Sequence, residues 1–345
     1  MTGVSGPGNW PGLDVLGAQL RQFEDFAAVP FGVDPHPTFV QLGERGPGAD
    51  RLGRTLALLG DLPTELGPHG WRLAAHGGVD LRRAQSFLAQ DLEALSIAGA
   101  GYSGALSVHL VGPWTLAAQV YLAHKDKIVS DQGAVRDLAQ GLGEAAAAHV
   151  RAIKERVPGA RVTVQFDETL LGQVGAGVLP TFSGHARIRS VPGPVLVERL
   201  ETVLSGLKSG GVETVVHVGQ TRAAIAPVVL AGATGFGLEF GPEPAWDERG
   251  WELIARAIER GLVLWPGLAP VQVSSCSGAN LQKVSDTVTH GWGRIGLPAR
   301  DLDSLVLTHS REGARAGYGG TEQQARGAVL VLIKSAEHLA EKANT

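Results

Sequence analysis

Arg161-Val-Thr-Val-Gln-Phe-Asp-Glu-Thr169 is a β-branched and aromatic run that stops at two adjacent acids, the pattern of a buried strand with a polar exit. A parallel strand in an α/β protein is covered on both faces. Carboxylates are therefore tolerated at its end, where loops, water or a ligand can satisfy them. Two readings of Asp167 and Glu168 follow. In the plainer one, one acid caps a turn and the other meets solvent; in the other, the strand exit is a binding site.

The chain on both sides repeats this grammar. Downstream, the pattern predicts a helix near 193–207, strand 213–217, helix near 222–231, strand 235–240, helix 246–260, strand 261–265, helix near 278–292, strand 303–308 and helix 321–341. Upstream, Leu106-Ser-Val-His-Leu-Val111 is a strand closed by Gly112-Pro113, with Thr115 opening a helical segment and a helix from about Asp131 to Arg156. Earlier still, Leu81, Ala84, Leu88, Leu92 and Leu95 form a helical stripe, and Asp50 is placed to cap a helix running towards Gly60. Thr38-Phe-Val-Gln-Leu42 is a short strand candidate and Trp71-Arg-Leu73 a candidate extra strand. Leu13, Leu16, Leu20 and Phe23 share a helical face behind a glycine-rich opening that includes Gly8-Asn-Trp-Pro-Gly12. The strand count reaches about eight in βαβα order. The expectation is a single (β/α)8 TIM barrel spanning 1–345, with a glycine-rich N-terminal segment.

Composition agrees with that architecture. The 48 glycines and 19 prolines in 345 residues suit many short connections between buried elements. A net charge of −4 without any run of Lys and Arg gives no electrostatic case for nucleic acid or an anionic membrane as partner; the partner expected is a small-molecule substrate. Cys276 is the single cysteine, which excludes a disulfide framework or a thiolate-rich metal site within one chain and fits a cytoplasmic protein. Neither a signal peptide nor a membrane span of roughly 18 apolar residues is legible, and the oligomeric state is left open.

In a barrel of this kind the site lies at the C-terminal ends of the strands, which collects polar residues that are distant in sequence. The collection comprises Asp167, Glu168, His217, Glu239, Thr308, His309 and Arg311. Each taken singly is more often structural; their convergence on one rim is what suggests function. Gly317-Tyr-Gly-Gly-Thr-Glu-Gln-Gln324 adds a glycine loop before a helix start, with Thr321 and Gln324 at capping-box spacing, where an anion could also bind. No nucleotide-binding, nucleophile-elbow or zinc-protease motif is present.

Several of these segments resemble the catalytic barrel of cobalamin-independent methionine synthase. Val164-Gln-Phe-Asp-Glu-Thr169 is similar to its Q-I-D-E-P strand. Gly112-Pro-Trp-Thr-Leu116 is similar to its G-P-V-T segment, a pattern shared with uroporphyrinogen decarboxylase relatives, and Gly8-Asn-Trp-Pro-Gly12 to its G-S-x-P. Val216-His-Val-Gly219 falls where the family has His-x-Cys. The resemblance spans nearly the whole chain and is nearest to short, single-barrel actinobacterial members. It implies methyl transfer to a homocysteine-like thiol, activated by a zinc held by His, Cys, Glu and Cys.

Carried over residue by residue, the resemblance makes His217 and Glu239 two of the four metal ligands. It makes Asp167 the acid that holds a substrate amine, with Asn9 in place of the family's serine. Gly219 and Arg311 stand where the two cysteines would be, Gln173 where a folate-contacting Glu would be, and Gln272 near a proton-donor His. Zinc would need a replacement ligand, Cys276 or His309, because the missing thiolates supply charge and geometry. Two functions follow. One is a methionine-synthase-like methyltransferase; the other is a metal-free small-molecule binder or repurposed barrel in which Arg311 holds an acidic ligand through its planar fork.

Overall fold

Eight parallel strands hydrogen-bond side by side in the computed structural model, which describes residues 1–123, 126–241, 246–270, 272–310 and 320–344. In chain order the first half comprises β1 (Thr2–Ser5), α1 (Val15–Phe26), β2 (Val33–His36), α2 (Arg51–Leu58), β3 (Thr64–Gly67), β4 (Gly70–Leu73), α3 (Val79–Ala98), β5 (Ser103–Val111), α4 (Pro113–Gln119) and α5 (Gln132–Arg156). The second half comprises β6 (Gly159–Asp167), α6 (Leu171–Ala176), α7 (Gly193–Ser209), β7 (Glu213–His217), α8 (Ile225–Leu230), β8 (Gly235–Phe240), α9 (Glu248–Glu259), β9 (Val263–Leu268), α10 (Gly278–Arg294), β10 (Val306–His309) and α11 (Glu322–Ala343). The sheet runs β2-β1-β10-β9-β8-β7-β6-β5, with helices on its outside, and β3 and β4 form a separate antiparallel hairpin. No helix among the described residues is long and apolar enough to cross a membrane.

The sheet curls until its two edges meet. Past the end of β2, Phe39 N donates to Ser107 O at 2.9 Å and Ser107 N to Pro37 O at 2.9 Å, a two-bond seam that nearly completes a (β/α)8 barrel. Pro35 sits inside β2 without cost to the other side. His36 O bonds towards β1 through Gly6 N, so the alternation of hydrogen-bond directions aims position 35 at the seam, where few partners wait for an N–H.

Helix α3 buries the stripe that the periodicity predicts, with Leu81, Ala84, Leu88 and Leu95 inward. Helix α1 does not, because Leu13 and Leu20 are exposed, Leu16 and Phe23 only half-buried, and its covered face carries Ala18, Gln19, Gln22 and Phe26. In α5, Val135, Leu138, Leu142, Val150 and Ile153 lie inward, each contributing roughly 1.5–3 kcal/mol on burial, and the Asp131 carboxylate caps the first turn through Gly133 N and Ala134 N at 2.9 and 3.0 Å. Inside the barrel, Val215, Trp265 and Val306 form a small apolar cluster apart from the main core. They lie two residues before His217, Gly267 and Thr308 on the same strands, hence on the same face. An apolar plug therefore underlies the polar rim.

Three expectations about the strands need correction. The first two strands are Thr2–Ser5 and Val33–His36, and Thr38–Leu42 is not a strand. Phe39, Val40 and Leu42 are buried for another reason: Phe39 carries the Arg54 guanidinium 4.0 Å from its ring centre and stacks on His149, so apolar composition here reports burial and not pairing. Strand β9 continues through Pro266 to Leu268, and β10 starts at Val306 behind a helical turn over 299–304. The candidate strand at Trp71 is real, as the second arm of the β3–β4 hairpin.

Arg54 anchors that buried region. Burial pulls it down to about 10, so it stays charged at neutral pH beside Asp91, which it meets at 3.0 Å while Arg45 meets the same carboxylate at 2.5 Å. Removing the acid leaves two cations facing each other out of water. Asp91→Ala is expected to lower unfolding free energy by about 3–5 kcal/mol, measured by urea denaturation.

Candidate functional site

Glu168 is fully buried just beyond β6. Its Oε1 accepts the Trp114 N–H at 2.8 Å, and Oε2 accepts the Thr115 N–H at 2.7 Å and the Thr115 hydroxyl at 2.8 Å. It therefore caps α4, whose first N–H groups have no partner within the helix. Gly112 is what allows the carboxylate in: any Cβ there would collide with the Glu168 side chain. Gly112-Pro-Trp-Thr and Asp167-Glu168, read as separate motifs in the sequence, are one packed unit.

Asp167, 1% exposed, is not left to solvent either. Arg51 Nη1 donates to its Oδ2 at 2.7 Å and Gln165 Nε2 to its Oδ1 at 2.8 Å. The plainer expectation for this pair was half right: one acid caps, but neither faces water. Arg51 reaches Asp167 because α2 starts beside the strand ends. Asp50 caps that helix through Gly53 N at 2.7 Å, and Thr55, one turn on, receives the Val111 N–H at 3.0 Å at the end of β5.

On the next strands, Asp167 is in register with His217 and His217 with Gly237; Glu239 is in register with Gly267 and Gly267 with Thr308. His217 and Glu239 are buried, with Nε2 and Oε1 3.5 Å apart. A Cβ on Gly237 would strike the imidazole, and one on Gly267 would come within 3.0 Å of His217 Nε2 and 3.2 Å of Glu239 Oε2. The His217 ring thus lies across β8 towards β9 in space kept clear by two glycines. Adjacent strands are about 4.8 Å apart, so these side chains share one rim.

The other predicted residues are less centrally placed. Asn9, half-buried, pairs with Gln41 beyond β1, and among the described residues its buried Oδ1 has no hydrogen bond. His309 is in register with Leu268, on the face opposite to Thr308. Gln272 is buried and accepts the Ala269 N–H at 2.8 Å, a loop tie, while Gln173 is exposed. Thr321 and Gln324 do form a capping box, at 3.3 and 2.8 Å, beside a cleft of about 500 Å³ lined by Pro270, Ser274 and Gln323. Arg311 and 317–319 lie outside the described residues.

A zinc set of the kind the resemblance implies does not fit. His217 and Glu239 are two donors where a structural or catalytic zinc takes three or four protein ligands. At Gly219 the backbone turns left-handed, φ +66°, which disfavours any side chain and certainly a ligand. Among the described residues no group of three or more His, Cys, Asp or Glu could hold a metal, so neither Cys276 nor His309 completes the pair. Cys276 packs half-buried against the core.

Fold and rim together define a (β/α)8 barrel with a buried polar floor at its C-terminal mouth. No family model and no curated protein matches the chain. Among solved structures it is similar to a B12-independent methionine synthase from Shewanella sp. W3-18-1 in complex with selenomethionine, at 16% identity over 72% of this chain and 66% of that one, with a TM-score of 0.49. It is also similar to a GH18 chitinase from Pseudoalteromonas aurantia, at 10% identity over 88% and 93% with a TM-score of 0.37. The chain spans 66% of the length of that methionine synthase. Values this low carry no argument, and the barrel stands on its own strand topology.

Sequence reasoning missed Arg51, Gln165, Gly237 and Gly267. Glycines inside a strand were the available signal for the last two, since they mark a close approach; nothing local marked Arg51. Burial pushes the Glu168 carboxyl up from 4.5 to about 7, against the three donors that pull it down. Between those values the folded chain keeps a proton that the unfolded chain has released, so Glu168 makes stability fall as pH rises from about 4.5 to about 7. Glu168→Gln, which cannot ionise, is expected to flatten that slope, and Glu168→Ala to cost about 2–4 kcal/mol by orphaning two helix N–H groups. Urea titrations across this pH range measure both.

Proposed function

We propose that this chain is a metal-free (β/α)8 barrel that binds a small acidic molecule at its C-terminal mouth, as a binding protein or as an enzyme with chemistry of its own. The observation that carries the reading is the donor set. His217 and Glu239 face each other at 3.5 Å, and the next ligand position is a left-handed glycine. A histidine and a carboxylate so placed can exchange a proton with a ligand or orient it by hydrogen bonds without a metal. Arg311, at the position of the lost second thiolate in the resemblance, is the cation the sequence offers for the acidic group.

Methionine-synthase-like methyl transfer is the second reading. It is favoured by the packing of Gly112, Trp114 and Thr115 on Glu168, which joins two of the segments that carry the resemblance. Metal content separates the two. Protein purified without chelator is expected to carry far less than one zinc per chain by elemental analysis, and its melting temperature to be unchanged by added zinc. One tightly held zinc per chain would remove the metal-free reading in favour of methyl transfer.

A further inference from the structure

The acid expected to grip a substrate ammonium is already engaged. Asp167 has one oxygen on Arg51 and the other on Gln165, and it is 1% exposed. A carboxylate neutralised by a guanidinium in a buried setting has little field left for an incoming cation. Arg51 is the opposite case. Its side chain is 19% exposed. Its guanidinium has five N–H donors in one plane; Nη1 is spent on Asp167, and among the described residues no hydrogen bond uses Nε or Nη2.

Its placement is also fixed from below. Arg51 is the first residue of α2, the Thr55 hydroxyl donates to its carbonyl at 2.8 Å, and the same hydroxyl receives the Val111 N–H. The helix start is thereby pinned to the end of β5, and the charged fork to the end of β6. A held fork loses less entropy on binding a planar anion than a free side chain would.

We infer that Arg51 is the anion-binding group of the barrel mouth and that Asp167 is its positioning residue, so the bound molecule presents a carboxylate there and not an ammonium. The inference rests on the metal-free binding reading and deepens it by naming Arg51 as the group that meets the ligand's acid, where the sequence alone offered Arg311. Polarity is the point at issue: the resemblance implies a cationic group at Asp167.

Glutarate and 1,5-diaminopentane, matched in length and opposite in charge, test it by calorimetric titration at millimolar concentration. The wild type is expected to bind glutarate and not the diamine. Because a lone buried carboxylate destabilises the fold, Arg51→Met is measured together with the double variant Arg51→Met/Asp167→Asn, in which neither charge remains. Both are expected to lose at least about tenfold in glutarate affinity, the scale of a charged hydrogen bond. Arg51→Lys is expected to recover part of it, and Asp167→Asn alone to weaken binding several-fold while the fold persists. Glutarate affinity unchanged within about twofold in the double variant would overturn Arg51 as the anchor while leaving metal-free binding intact. Diamine binding by the wild type, strengthened in Arg51→Met, would overturn the charge assignment, and absence of glutarate binding by the wild type would also sink the inference. The metal assay decides the underlying reading independently.

Discussion

The carboxylate of Glu168 on the first N–H groups of α4 holds the rim together. A buried acid with three donors ties the exit of β6 to the helix after β5, and the missing side chain of Gly112 gives it room. Without that cap, two helix N–H groups would sit orphaned beside the barrel mouth. Because Glu168 is fixed, the residue before it is fixed as well: Asp167 sits at the strand terminus with no freedom to swing into solvent, and it becomes the counterpart of whichever cation the neighbouring helix supplies.

That cation is Arg51, and it changes what the rim offers. The polar floor combines a neutralised Arg–Asp pair, a His217–Glu239 pair laid across two glycines, and Thr308 beside them. The apolar plug of Val215, Trp265 and Val306 closes it from beneath. Charged groups at such depth are costly unless paired, and the described acids here have partners. The proposed metal-free reading, recognition by oriented charge and proton exchange, rests on this arrangement; among the described residues no group of three or more His, Cys, Asp or Glu could hold a metal.

Much of this was legible beforehand because buried parallel strands advertise themselves. Strands 213–217 and 235–240 fall where their β-branched and aromatic residues place them, and β6 runs only two residues longer at its start. The failures share a cause. Thr2–Ser5 and Val33–His36 are short, and one contains a proline, so neither resembles a strand in isolation; they are held by neighbours remote in sequence. Thr38–Leu42 looked like a strand because Phe39 and Val40 are buried, yet what covers them is helix and guanidinium.

The sequence by itself determined the alternation of strands and helices, the barrel class and the identity of the acids and histidine at the strand ends, because hydrophobic periodicity and chain-order rhythm are local properties. Only the tertiary structure decided the partners. That Glu168 caps α4, that Arg51 neutralises Asp167 from 116 positions away, and that Gly237 and Gly267 make space for His217 all depend on which strands lie side by side. Pairing of charges is a distance in space that no local pattern in the chain encodes, and a glycine inside a strand signals a close approach without naming the side chain that makes it.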